Sequence, residues 1–282
     1  MKILISGGTS SLGRALKPVL SDFSEVITAG RKDCDITLDL TDPIDKTSLP
    51  PNVDVIVHTA ANFGGKSDEE ILATENINVL GTLKLCQAAA RTKTKHFVLI
   101  STMFSCLKEN SPFYNVYALS KKQAEEIARY YLSTSSIALA VLRPSQIYGN
   151  EDRFKEHQPF FYSIIDQVEK DKDIMFYGSH DARRNFIHID DLTTIISKVV
   201  QKKTEGTYSC QHPTDVTYSE IAKAAITAYQ SKSSIRFLKD KPDIPDNIFD
   251  KDDSLYKKIN FYPQITIGEG MRKIALYRKV RP

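Results

Sequence analysis

A doubly wound parallel α/β sheet is the fold class this sequence predicts, on three observations. Short apolar runs of strand character alternate with longer helical patterns through the first half of the chain. The first run, Lys2 to Ser6, passes directly into a glycine-rich turn and then a helical stretch reaching Leu20. The polar residues able to do chemistry stand just after the strand-like runs, and right-handed crossovers place those strand ends along one edge, where such sheets bind ligands.

Each element follows in order. Gly7-Gly8-Thr9-Ser10-Ser11-Leu12-Gly13 is the turn, with the first helix over 11–20. Its backbone N–H groups and the helix N-terminus suit a pyrophosphate, and the last glycine lets helix and strand pack closely, so a dinucleotide is the expected ligand. Strands are expected at 26–29, before Asp39, and at 54–58, 96–101 and 137–143, and further helices near 68–90 and 116–132. The strand ends then carry Ser6 and Gly7, Gly30 and Arg31, Thr59-Ala60-Ala61, Ser101 and Thr102, and Pro144-Ser145-Gln146. After about residue 145, Pro159, Pro213, Pro242, Pro245 and Pro263 punctuate shorter elements. That shift predicts a Rossmann-type domain over 1–145 and a smaller substrate-binding lobe over 146–282, with 183–212 crossing back to the first domain.

Composition narrows the function classes. The 282 residues are 41% hydrophobic, enough for a substantial core. Balanced charge, 38 basic against 35 acidic residues for a net +3, leaves no footprint for nucleic acid. No apolar run approaches the roughly 20 residues of a membrane span, and the chain enters a strand with no basic-then-apolar leader, so no membrane partner and a cytoplasmic location are expected. The four cysteines, Cys34, Cys86, Cys106 and Cys210, lie far apart without metal-ligand spacing, so neither a metal site nor a disulfide framework is expected.

Tyr117 and Lys121, four apart on a predicted helix, stand on one face. A phenol titrates near ~10 in water, and a neighbouring ammonium favours the phenolate, so the pair is expected to exchange a proton with a substrate hydroxyl or carbonyl. At the end of the second strand, Gly30-Arg31-Lys32 offers cations where an acidic residue would bind a ribose 2′-OH. NADP is therefore expected over NAD, while Asp33 and Asp35 further along keep NAD open.

Eight landmarks in order carry a wider resemblance: the opening turn, Asp39-Leu40, His58-Thr59-Ala60-Ala61, Asn78 to Thr82, Leu99 to Thr102, Tyr117 to Lys121, Leu142 to Gly149, and Arg184 to Asp191. The chain resembles, almost end to end, the extended short-chain dehydrogenase/reductases of the nucleotide-sugar epimerase, dehydratase and reductase group. The resemblance implies that Thr102 hydrogen-bonds the reacting oxygen, Tyr117 is the general acid/base, and Lys121 lowers the tyrosine pKa and holds the nicotinamide ribose. It implies that Gly7, Ser10, Ser11, Leu12 and Gly13 wrap the pyrophosphate, Asp39 and Leu40 border the adenine, Ala60 and Ala61 lie along the dinucleotide, and Pro144 belongs to the cofactor side. Relatives carry glycine at the position of Ser10 or of Ser11, where this chain has serine at both. Arg184 and Gln146 are nominated for the sugar-nucleotide diphosphate, whereas Arg183 reads as a solvated surface cation. Asn78, His188 and Asp191 read as structural. Relatives often dimerise through two helices, here 68–90 and 116–132, which makes a homodimer possible.

Dehydratases of this group need an aspartate and a glutamate after the catalytic threonine, and Met103 and Phe104 stand there instead. The expected activity is hydride transfer at a sugar carbon, with carbon 4 the expected position, of a nucleotide-diphosphate sugar, as a keto-sugar reductase. The alternatives are a 4-epimerase with recycled cofactor, a reductase of a non-nucleotide carbonyl compound, and a non-catalytic NADP sensor.

Overall fold

A computed structural model describes residues 1–43 and 46–280. Residues 44, 45, 281 and 282, which the expected domain ranges include, lie outside the described residues. The strands are β1 (Lys2–Ser6), β2 (Glu25–Gly30), β3 (Ile36–Thr37), β4 (Val55–His58), β5 (His96–Ile100), β6 (Ala138–Pro144), β7 (Gln146–Tyr148), β8 (Ile174–Tyr177), β9 (Arg183–Arg184), β10 (Phe186–His188), β11 (Gly206–Cys210), β12 (Val216–Thr217) and β13 (Ile235–Leu238). The α-helices are α1 (Ser11–Ser21), α2 (Asp68–Glu75), α3 (Gly81–Arg91), α4 (Val116–Ser133), α5 (Pro159–Val168), α6 (Ile189–Lys202), α7 (Tyr218–Tyr229), α8 (Ser254–Ile259) and α9 (Ile267–Val280). None of the described helices is long and apolar enough to cross a membrane.

The chain divides into two compact units, one of residues 1–144, 193–210 and 252–261, the other of 145–192, 211–251 and 262–282. The first holds a seven-stranded sheet in the order β11-β6-β5-β4-β1-β2-β3, parallel at every pairing. Strand order reverses between β1 and β4, the switch point at which open α/β sheets leave room for a ligand. The central strands are buried along their whole length, as the near-continuous apolar runs of a sheet covered on both faces require. Leu4, Ile56, Phe97 and Leu99 pack in one cluster with Leu85, Ala88 and Ala89 of α3 and with Ala128 and Leu132 of α4. Each such fully buried Leu, Ile or Phe contributes about 1.5–3 kcal/mol over an exposed one, so the strand ends are edges of a stiff platform.

The second unit is built from three two-stranded pairs, β7 with β10, β9 with β12 and β8 with β13. Its core centres on Tyr148, Phe161 and Phe186, whose rings meet 4.7–6.2 Å apart.

One expected element comes out differently. The helix read over 68–90 is interrupted by a π-turn, Asn76–Leu80, where the Gly81 N–H reaches the Asn76 carbonyl five residues back. The cause is tertiary: the Asn78 amide accepts from the Asn62 N–H at 2.7 Å, donates to the Asn62 carbonyl at 2.8 Å and donates to Ser120 Oγ at 2.9 Å. Asn78 thus ties the segment after β4 to α4, and the wider turn is the local cost of aiming it.

Candidate active site

The turn after β1 is shaped by two glycines for which no other residue fits. Gly7 adopts φ +85°, and a Cβ on it would stand 2.6 Å from the Ala60 nitrogen. A Cβ on Gly13 would stand 2.3 Å from the Gly7 carbonyl oxygen, so α1 starts against the end of β1. Ser10 is the N-cap of α1, its Oγ accepting from the Gly13 N–H at 3.0 Å and lying 3.1 Å from Thr59 Oγ1. The serine that replaces a glycine in relatives therefore works as a helix cap, leaving the turn open beside the helix N-terminus. Ser11 is half-buried and Leu12 buried against the core. The Ala60 N–H donates to the Ser6 carbonyl at 3.1 Å, which seats Ala60 beside the turn. Ala60 and Ala61 are partly exposed and Pro144 is buried at the end of β6. A close-approach glycine turn, a helix start beside it and small residues on the neighbouring strand end fit a dinucleotide pyrophosphate.

Strand β2 ends at Gly30, and Arg31 and Lys32 follow it exposed. Asp35 turns inward. Its carboxylate accepts from the Thr28 N–H at 2.8 Å and the Thr28 hydroxyl at 2.7 Å and pairs with Lys17, and these hydrogen bonds hold its pKa down to about 2. Asp39 accepts from the Thr41 N–H and hydroxyl, which lower its pKa, with Arg31 adding a smaller charge effect. Leu40 is buried.

Thr102, Tyr117 and Lys121 come together at the end of β5. Asn115 caps α4 by accepting from the Ala118 N–H at 2.9 Å, which places Tyr117 in the first turn and Lys121 one turn later. Thr102, two residues after β5, lies near enough to the Tyr117 phenol to lower its pKa. The Lys121 ammonium donates to the Ile100 carbonyl at 2.6 Å and is only 2% exposed. Burial pushes the Tyr117 phenol up to about 12, opposed by the Thr102 side chain. The net shift is upward, against the lowering expected from the neighbouring ammonium. The same burial lowers Lys121 to about 8, partly restored by the negative charge of Glu125, and its proton is directed at a strand carbonyl.

Glu125 is a site residue that the motif reading missed, although the four-residue spacing that links Tyr117 to Lys121 reaches it next. Its carboxylate is 1% exposed and paired with Arg143 of β6. Phe63 was also missed: its half-exposed ring stacks on Tyr117 with centroids 5.2 Å apart, and nothing in an isolated aromatic signals that. His58 is buried between Ser6 Oγ and Thr82 Oγ1, and burial holds it neutral with a pKa of about 3.

In the second unit, Gln146 donates through Nε2 to Gln158 Oε1 at 2.9 Å, while its own Oε1 is buried with no hydrogen-bond partner among the described residues. Arg184 is 4% exposed. Its Nη1 donates to the Arg183 and Pro245 carbonyls at 2.8 Å each, and its guanidinium lies 4.9 Å from the Tyr218 ring centroid. Arg183 is exposed and ion-paired with Asp246. His188 and Asp191 are structural: Asp191 accepts from the Gln264 and Ile265 N–H groups, and His188 Nδ1 accepts from the Asp190 N–H.

A seven-stranded parallel sheet with a glycine turn at its switch point and a Thr–Tyr–Lys group two strands away defines a Rossmann-type protein built for dinucleotide chemistry. The model of the NAD dependent epimerase/dehydratase family matches residues 3–210, and the chain belongs to that family. It is 24% identical over 162 residues to CDP-abequose synthase of Salmonella typhimurium, covering 57% of this chain and 53% of that protein. It is 29% identical over 219 residues to GDP-6-deoxy-D-talose 4-dehydrogenase of Aggregatibacter actinomycetemcomitans, covering 73% and 72% respectively. The chain thus spans about half the length of the first relative and nearly three quarters of the second. The structure of RMD from Pseudomonas aeruginosa complexed with NADPH shares its fold, with a TM-score of 0.78, 18% identity and 98% of each chain covered.

Proposed function

We propose that this protein reduces a keto group on the sugar of a nucleoside-diphosphate sugar, at carbon 4, with NADPH. The observation that carries the reading is the grouping of Thr102 and Lys121 with a Tyr117 phenol held protonated by burial, two strands from the glycine turn. A protonated phenol at neutral pH is the acid that ketone reduction needs. Gly7, Ser10, Ser11, Leu12 and Gly13 would hold the pyrophosphate, Asp39 and Leu40 the adenine, Ala60, Ala61 and Pro144 the remaining length, and Tyr117 and Lys121 the nicotinamide ribose. Arg31 would take the 2′-phosphate, a reading supported by the engagement of Asp35 with Thr28 and Lys17. Bound there, the nicotinamide supplies the hydride. The Thr102 hydroxyl holds the substrate oxygen, Tyr117 gives that oxygen its phenolic proton, and the charge of Lys121 steadies the phenolate left behind until solvent reprotonates it.

Substrate recognition is assigned to Gln146, whose buried Oε1 has no partner among the described residues, and to Arg184. Relatives that act at carbon 4 or on nucleotide-linked sugars support the class of substrate. Epimerisation at carbon 4 is the second reading, favoured by the family match, and it uses the same three side chains with the cofactor recycled. Dehydration is disfavoured because Met103, 3% exposed, and Phe104 can move no proton. Incubation with NADPH and dTDP-4-keto-6-deoxyglucose tests the choice. Net loss of reduced nicotinamide absorbance supports reduction, interconversion of two sugars without net loss supports epimerisation, and neither outcome with this or other keto-sugar nucleotides refutes both.

A further inference from the structure

We propose that Glu125 is a positioning residue that locks the end of β5 to α4 and thereby sets the mutual geometry of Thr102, Tyr117 and Lys121; this rests on reading those three as the proton-transfer group. The carboxylate is fully desolvated, a situation that a lone charge cannot hold. Its neighbours come from three elements. Arg143 of β6 donates through Nε to Oε1 and Oε2 at 3.0 and 3.1 Å, and through Nη2 to Oε2. Ser101 and Ser105, on either side of Thr102, both hydrogen-bond Oε1, Ser105 at 2.7 Å. Ser105 Oγ also lies 2.7 Å from the Thr102 carbonyl, so its single proton is shared between that carbonyl and the carboxylate. The chain on both sides of Thr102 is thus hung from one side chain of the helix that carries Tyr117 and Lys121. A shift of about 1 Å in such a group is enough to cost two orders of magnitude in rate.

Charge points the same way. The ionisable groups around the pair are Lys121 itself, Arg143, whose charge also senses Cys106, and the neutral His58, whose ionisation Lys121 opposes. Glu125 is the group whose charge keeps the Lys121 proton against burial. Without it, Lys121 and Arg143 face each other's neighbourhood with no carboxylate, and the lysine loses its proton at lower pH.

The test compares Glu125→Gln, Glu125→Asp and Ser105→Ala in the full chain. Lysine side-chain NMR titration reads Lys121, whose low pKa separates it from the other lysines, with Lys121→Met fixing its assignment. Turnover is followed with NADPH and dTDP-4-keto-6-deoxyglucose. Glu125→Gln should move the Lys121 titration down by about one pH unit or more, Glu125→Asp should restore most of that shift, and Ser105→Ala should leave it in place. Glu125→Gln and Ser105→Ala should both lower kcat, by about tenfold or more, with KM little changed. An unshifted lysine titration in a folded Glu125→Gln, or an unaltered kcat in Ser105→Ala, overturns the inference. If Glu125→Gln does not fold, Ser105→Ala decides alone, because it removes a hydroxyl without stranding a charge. Full turnover by Tyr117→Phe instead overturns the reading of the site.

Discussion

Lys121 and Arg184 are both cations that the sequence nominates for chemistry, and both are almost fully buried, at 2% and 4% exposed. Their surroundings differ. Lys121 sits on a helix one turn after the Tyr117 phenol, with a buried carboxylate one turn on and a proton held by a strand carbonyl. Arg184 lies over Tyr218 with one nitrogen bonded to two backbone carbonyls. A lysine pushed down to about 8 can change charge in the working range of an enzyme, whereas a guanidinium stays charged. Burial therefore leaves the first able to change charge and holds the second fixed against the Tyr218 ring and two carbonyls.

Substitutions at four positions bear on that contrast. The largest effect belongs to Tyr117→Phe, which removes the proton donor and keeps the ring that stacks on Phe63. It should lower kcat by about 10²–10⁴-fold while NADPH still binds, as measured by nicotinamide fluorescence, and retention of full activity would place the chemistry elsewhere. Arg184→Ala should destabilise the protein by about 1–3 kcal/mol in urea unfolding, because the Pro245 carbonyl loses its donor. A substrate role adds a raised KM for the nucleotide sugar in Arg184→Lys, which keeps the charge and loses the planar fork.

The third turns on the sign of the Lys121 shift. Its folded pKa, about 8, lies below the ordinary 10.5, so the unfolded chain binds the extra proton between those values and stability should rise with pH across that window. Burial of the ammonium opposes folding below it. Lys121→Met should remove that rise from the urea midpoint; a pH profile identical to the parent protein would show that the lysine is not held as the structure places it. The smallest effect belongs to an exposed cation. Arg31→Ala should weaken NADPH binding by about tenfold, near 1.4 kcal/mol, and leave NADH unchanged. Tighter binding of NADH, indifferent to the substitution, would reverse the cofactor preference.

Much of the fold was legible because its signals are local. The apolar runs at β1, β4 and β5, the turn from Gly7 to Gly13, and the Tyr117–Lys121 spacing each declare themselves within a few residues. The π-turn at Asn76–Leu80 was not legible, since it answers to Asn62 and Ser120, which are distant in sequence. The same holds for Glu125, one more polar residue on an amphipathic helix until Ser101, Ser105 and Arg143 are brought to it. Ser10 reads as a departure from a glycine pattern, and only the start of α1 shows it to be a cap.

By itself the amino-acid order determined a parallel sheet, a glycine-rich turn between strand and helix and a tyrosine placed one helical turn from a lysine, because periodicity and backbone sterics act over short stretches of chain. The tertiary structure alone decided how strongly those groups hold their protons. Desolvation and long-range hydrogen bonds set the Tyr117 phenol high, the lysine low and the Glu125 carboxylate charged, and both depend on what folding packs around a residue.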